Sequence, residues 1–110
     1  MGGRQEVIAQ RMIRRVIIRA EAKRDLREAK SWYQNISPEL RRDFVHRIDD
    51  AITLAQERPL AFQIVHRTFR RILVHRFPYA LFYHVGEDRI VIVAVLHQAR
   101  DPEVLEARRP

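Results

Sequence analysis

The sequence contains no cysteine. That one absence excludes disulfides, thiolate zinc sites and cysteine nucleophiles together, and secretion into an oxidising compartment has no support. A cytoplasmic setting is expected. Lysine is scarce as well: Lys23 and Lys30 are the only two among 21 cationic residues. No apolar run approaches the roughly 18 residues that a membrane span needs, and no signal-type apolar segment follows Met1-Gly2-Gly3-Arg4-Gln5. A soluble protein with no membrane partner is expected.

What remains is a globular composition, 46% hydrophobic and 32% charged, which carries enough apolar side chain to fold. A length of 110 residues allows one core and one site. The net charge is +7, nearly all of it guanidinium, which pairs with phosphate or carboxylate in bidentate fashion. An anionic partner, nucleic acid or acidic peptide, fits this bias. Scattered surface arginine that only maintains solubility is the other reading.

Residues 1–12 read as an N-terminal extension with a helix over Gln5–Met12, and residues 13–110 as a single domain. Ile13–Arg19 is short and β-branched, a first strand. From Ala20 to Asn35 the period changes: Ala22, Leu26, Ala29 and Tyr33 recur every three or four residues, giving an amphipathic helix. Ser37 is placed to cap a second helix with Pro38 in its first turn. Leu40, Phe44, Ile48, Ala51 and Ala55 form its apolar stripe as far as Gln56, before Arg58-Pro59 stops it. Everything after Pro59 reads as strand. Phe69–Phe77, Tyr79–Val85 and Arg89–His97 are three β-rich runs, with Gly86-Glu87-Asp88 as the turn between the last two. The order β-α-α-β-β-β predicts a two-layer α+β fold, a four-stranded antiparallel-rich sheet under an N-terminal helical hairpin.

Alternation along Phe69–Phe77 places Arg71, Leu73, His75 and Phe77 on one face and Arg70, Ile72, Val74 and Arg76 on the other. One of Arg70 and Arg71 is then a structural arginine and the other is free for a partner. Phe77-Pro78-Tyr79 reads as a packed corner, and Trp32 and Tyr33 as core or rim aromatics rather than base-stacking platforms. The five histidines, His46, His66, His75, His84 and His97, lack the spacing of common zinc sites, so neither metal nor other cofactor is expected. His97 ends the last strand beside Arg100, as a surface or turn-bonded imidazole or as a general acid or base.

The segments Arg76-Phe77-Pro78-Tyr79, with Tyr83 after it, and Ala94-Val95-Leu96-His97-Gln98-Ala99-Arg100-Asp101-Pro102 resemble a pattern found in many toxins of the ParE/RelE superfamily. The resemblance spans roughly residues 13 to 102. It implies the toxin half of a type II toxin–antitoxin pair, neutralised by a ParD- or RelB-like antitoxin that wraps its surface. The target it implies is either DNA gyrase or ribosome-bound mRNA. The resemblance also singles out Arg70, Arg71, His75, Arg76, Tyr79, His97 and Arg100 as candidates for partner contact. In the nuclease branch His97, Arg100 and Arg71 would be the catalytic candidates. Leu73 and Ala80, however, stand where that branch places basic side chains, and no Tyr follows Arg100. The reading taken is therefore a non-enzymatic toxin that binds gyrase, with an mRNA endoribonuclease as the alternative. A basic nucleic-acid-binding module is a further alternative, which leaves both quoted segments unexplained.

Overall fold

The computed structural model describes residues 14–110. The expected helix over Gln5–Met12 and the first strand residue Ile13 lie outside the described residues. In chain order the elements are β1 (Arg15–Ile18), α1 (Ala20–Ile36), α2 (Pro38–Glu57), β2 (Ile64–His66), β3 (Phe69–Leu73), β4 (Tyr79–Val85) and β5 (Arg89–His97). A 3₁₀ segment, Pro102–Ala107, follows. The class is α+β with the helical hairpin over one face of a sheet, as the periodicity predicts.

The junction between the helices forms for local reasons. Ser37 adopts an extended backbone, its hydroxyl accepts from the Leu40 N–H at 3.0 Å, and Pro38 opens α2. Such a cap contributes on the order of 1 kcal/mol. Tyr33, Phe44, Ile48, Ala51 and Ala55 then turn inward with Ala22 and Ala29. They meet Ile72, Leu81, Tyr83, Ile90, Ile92 and Val95 from the sheet. This is the larger of two apolar clusters.

The sheet has five strands in the order β1-β5-β4-β3-β2, one more than expected. β2 was not resolved as a separate run within the strand-like region after Pro59, because it is only three residues long and the turn joining it to β3 has neither Gly nor Asn. Arg67 takes the left-handed backbone there at φ 52°. β3, β4 and β5 form the expected antiparallel meander, but β1 lies parallel to β5, Arg15 opposite Arg89 and Ile18 opposite Ile92.

The strand expected over Phe69–Phe77 ends at Leu73. Val74 still donates to the Tyr79 carbonyl, after which Arg76 enters the left-handed region at φ 71°. This reverses the chain before Pro78. Strict alternation therefore fails at Phe77, which joins the helix-side cluster rather than the face of Arg71 and Leu73. Its ring lies 5.0 Å from Tyr33 and 5.2 Å from Phe44, both edge-on. The corner is packed, as its aromatics suggested.

The tail also departs from the strand-only expectation. Asp101 accepts from the Glu103 N–H, Pro102 opens a 3₁₀ segment, and Leu105 buries against the sheet face opposite the helices. Val104 and Leu105 thus complete a second cluster with Phe69, Phe82, Val93 and Leu96. They cover only part of that face.

Candidate functional site

The uncovered part of the second face is a groove of about 560 Å³. Strand register builds its floor. Leu73 lies opposite Ala80, and Ala80 lies opposite Leu96, so a small residue sits between two leucines. The next row places Arg71 opposite Phe82. Val65 and His66 of β2 close one side; His97, Gln98 and Arg100 close the other, with Pro102 and Leu105 of the 3₁₀ segment as a wall. Among the described residues, no acidic side chain lines this groove.

Of the predicted residues, the fold brings Arg71, His97 and Arg100 to the groove. Arg70 goes to the other face, where its guanidinium donates to the Phe62 carbonyl at 2.6 Å and more weakly to that of Leu60. It fastens the loop after α2. The two adjacent arginines therefore part as alternation predicted, though Arg70 is held by carbonyls rather than by a carboxylate. His75 and Arg76 lie exposed in the turn after β3, outside the groove lining. Tyr79 packs 5.2 Å from Phe44 on the helix side.

His97 sits on the rim. Its ring meets Tyr79 edge-on at 5.2 Å, and its Nδ1 accepts from the Ala99 N–H at 3.0 Å. The neutral imidazole then carries its proton on Nε2. Burial raises the Tyr79 phenol above its ordinary value, and the Glu28 carboxylate adds to that. It remains a neutral hydroxyl at physiological pH.

His66 and Trp32 were not predicted as site residues. The Nε2 of His66 is buried in the groove wall and has no hydrogen-bond partner among the described residues. Trp32 is 64% exposed on α1 together with Ile36. It flanks a cleft of about 190 Å³ between α1 and the end of β5, with Glu28, Tyr79, Val95 and Arg100. Helical spacing puts Trp32 beside the buried Tyr33 but off the stripe, which is the signal that could have marked it.

Residues 16–102 match the family described as "ParE toxin of type II toxin-antitoxin system, parDE". The chain belongs to the ParE toxin family. Among similar proteins is Toxin ParE2 of Mycobacterium tuberculosis, from strain CDC 1551 / Oshkosh. It is 30% identical over 97 residues, covering 87% of this chain and 92% of the relative; the protein of the same name from strain H37Rv matches equally. A solved structure titled "Chromosomal ParDE TA system from P. aeruginosa" superposes with a TM-score of 0.68. At 19% identity it covers 79% of this chain and 97% of that chain, so the likeness is one of fold. This ParE-family chain is thus a type II toxin. Its two signature segments do separate jobs: Arg76-Phe77-Pro78-Tyr79 builds the aromatic corner, and the segment from Leu96 to Pro102 supplies floor and rim of the groove on the β5 side.

Proposed function

We propose that this toxin arrests growth by binding DNA gyrase, and that a ParD-like antitoxin holds it inactive until then. The observation that carries the reading is the floor of the groove. Cleavage of RNA needs a base, donors to the phosphate and a leaving-group acid clustered over one bond. Here Leu73, Ala80, Phe82 and Leu96 share the floor with a single cation, Arg71, among the described residues, and Arg100 stands beyond β5. The His97 Nδ1 is engaged by a backbone N–H. Such a surface suits protein binding better than phosphoryl chemistry.

For the antitoxin, the fitting surface is the helical hairpin. Trp32 and Ile36 offer apolar anchors there, and Lys23, Arg24 and Arg27 are exposed on α1 for acidic partners. A flexible segment ordered on binding would offset its entropy through apolar contact and charge-assisted hydrogen bonds. Both steps belong in the cytoplasm.

One observation favours the endonuclease alternative: Arg71, His97 and Arg100 border the same groove. Inducing the gene in a bacterial host separates the two. Gyrase poisoning raises the DNA-damage response with mRNA intact, and purified toxin inhibits supercoiling. Rapid cleavage of translated mRNA without a damage response would sink the gyrase reading.

A further inference from the structure

We propose that the groove across the open sheet face is the surface by which this toxin seizes its target, and that its occupant is an extended acidic segment of the target protein carrying a large apolar side chain. This rests on the reading that the toxin acts by binding a protein. The charge pattern selects the ligand's sign: Arg71 stands on β3 and Arg100 beyond β5, and among the described residues no carboxylate lines the groove. A guanidinium that faces solvent across such a groove attracts carboxylates and repels basic segments.

The floor selects the rest of the ligand. Leu73 is 58% exposed, although it pairs with Ala80 inside the sheet. A leucine so exposed beside Val65, next to the small Ala80 side chain, offers apolar surface to a partner. The centre is lined by Leu73, Ala80 and Leu96, with Phe82 in the next row. Leu73, Ala80 and Leu96 neither stack on a nucleobase nor hydrogen-bond to one, and the Phe82 ring is buried, so a single strand of nucleic acid would gain little from the centre of the groove. A Leu, Met or Phe side chain would fill it.

Geometry sets the segment's length. The groove crosses from β2 to β5, three interstrand steps of about 4.8 Å, or roughly 14 Å, which about four residues of extended chain span. The two flanking guanidiniums can then meet carboxylates on either side of the apolar anchor. The wall is fixed in advance, because Leu105 is buried and Arg108 is tied to Asp25. A preformed groove spares the partner the cost of shaping it.

Two measurements on the purified full chain test this. In the first, a labelled peptide of about eight alternating Glu and Leu residues is titrated by fluorescence anisotropy, against the matching Lys–Leu peptide and a short oligothymidylate. The acidic peptide should bind and the other two should not. Arg71→Glu and Leu73→Lys should each weaken it by roughly tenfold or more, with thermal unfolding near wild type because both side chains are exposed. Absence of binding, equal binding by the variants, or tighter binding of the oligothymidylate would each overturn the proposal. In the second, immobilised wild type and the same variants capture purified gyrase. If wild type captures none, the gyrase reading fails on its own, whatever the peptide does. If wild type captures gyrase and both variants do so equally, the gyrase reading stands and the groove is not its docking site.

Discussion

Asp25 and Arg108 lie 83 residues apart in sequence, yet the guanidinium of Arg108 donates to both carboxylate oxygens of Asp25, at 2.7 and 3.0 Å. Both side chains are buried. The same carboxylate accepts from the Val95 N–H, and the same guanidinium donates to the Val93 carbonyl. These two backbone groups face the side of β5 that β1 no longer covers, since β1 stops opposite Ile92. The pair takes the place of strand along that stretch of edge, and it ties the tail to α1. The hydrogen bonds it donates to Asp25 hold the Arg108 guanidinium above its ordinary value, more than burial lowers it.

Breaking the pair from one side should be costly. Arg108→Met leaves a buried carboxylate without its counterion and should lower stability by about 3–5 kcal/mol, whereas joining it with Asp25→Leu should recover part of that loss. Urea unfolding of the two single variants and the double variant measures this. A loss under about 1 kcal/mol for Arg108→Met would mean the carboxylate finds water when its partner goes.

The neighbouring arginines should separate cleanly. Arg70→Ala removes the charge-assisted bond to the Phe62 carbonyl and should cost about 1.5–3 kcal/mol. Arg71→Ala, exposed at the groove, should stay within about 0.5 kcal/mol of wild type while weakening growth arrest. Unfolding midpoints read beside colony survival would show whether the two effects divide this way.

His97→Ala decides between binding and cleavage. With target binding as the mechanism, toxicity should persist, because no proton transfer depends on the imidazole. With RNA cleavage it should fall by roughly 10²–10⁴, the usual contribution of a general acid or base. A folded variant that still binds antitoxin but no longer stops growth would move the assignment to the nuclease class.

Alkaline pH should destabilise the fold through its tyrosines. Burial raises Tyr83 above the ordinary value of 10.0, against an opposing effect of Arg70, and burial raises Tyr33 and Tyr79 too. Above about pH 10 the unfolded chain binds fewer protons than the folded one, so stability is full below that pH and declines above it, through the folded values. Urea midpoints between about pH 9 and 11 should fall accordingly. Tyr83→Phe should flatten the fall, although it also forfeits the 2.6 Å bond to the Pro59 carbonyl. A midpoint constant across that range would contradict the argument.

Local signals made much of this toxin legible from its residues alone. The Ser37-Pro38 cap, the 3.6-residue stripes of both helices, the turn at Gly86 and the limits of β4 and β5 are each fixed by neighbours in sequence. The C-terminal 3₁₀ segment was legible in the same terms, since Asp101-Pro102-Glu103 repeats the cap logic of Ser37-Pro38-Glu39, but the strand reading of that region overrode it. The parting of Arg70 and Arg71 followed from the two-residue period of a strand. Which of them would face a partner did not, because the loop carbonyls that claim Arg70 reach it only in the folded chain.

Tertiary structure alone decided the rest. Parallel pairing of β1 with β5 and the Asp25–Arg108 pair join residues more than seventy positions apart, and no local preference encodes such a meeting. The turns at Arg67 and Arg76 place non-glycine residues at positive φ; local preference disfavours this, and the packing of Phe69 and Phe77 into the two clusters holds it. The site was least legible of all. Arg71, His97 and Arg100 gather at one groove because β3 and β5 flank β4, and Ala80 becomes a hollow because register sets it between Leu73 and Leu96. Sequence determined which side chains were available and which way each strand could turn them; only the packed sheet determined which of them share a surface.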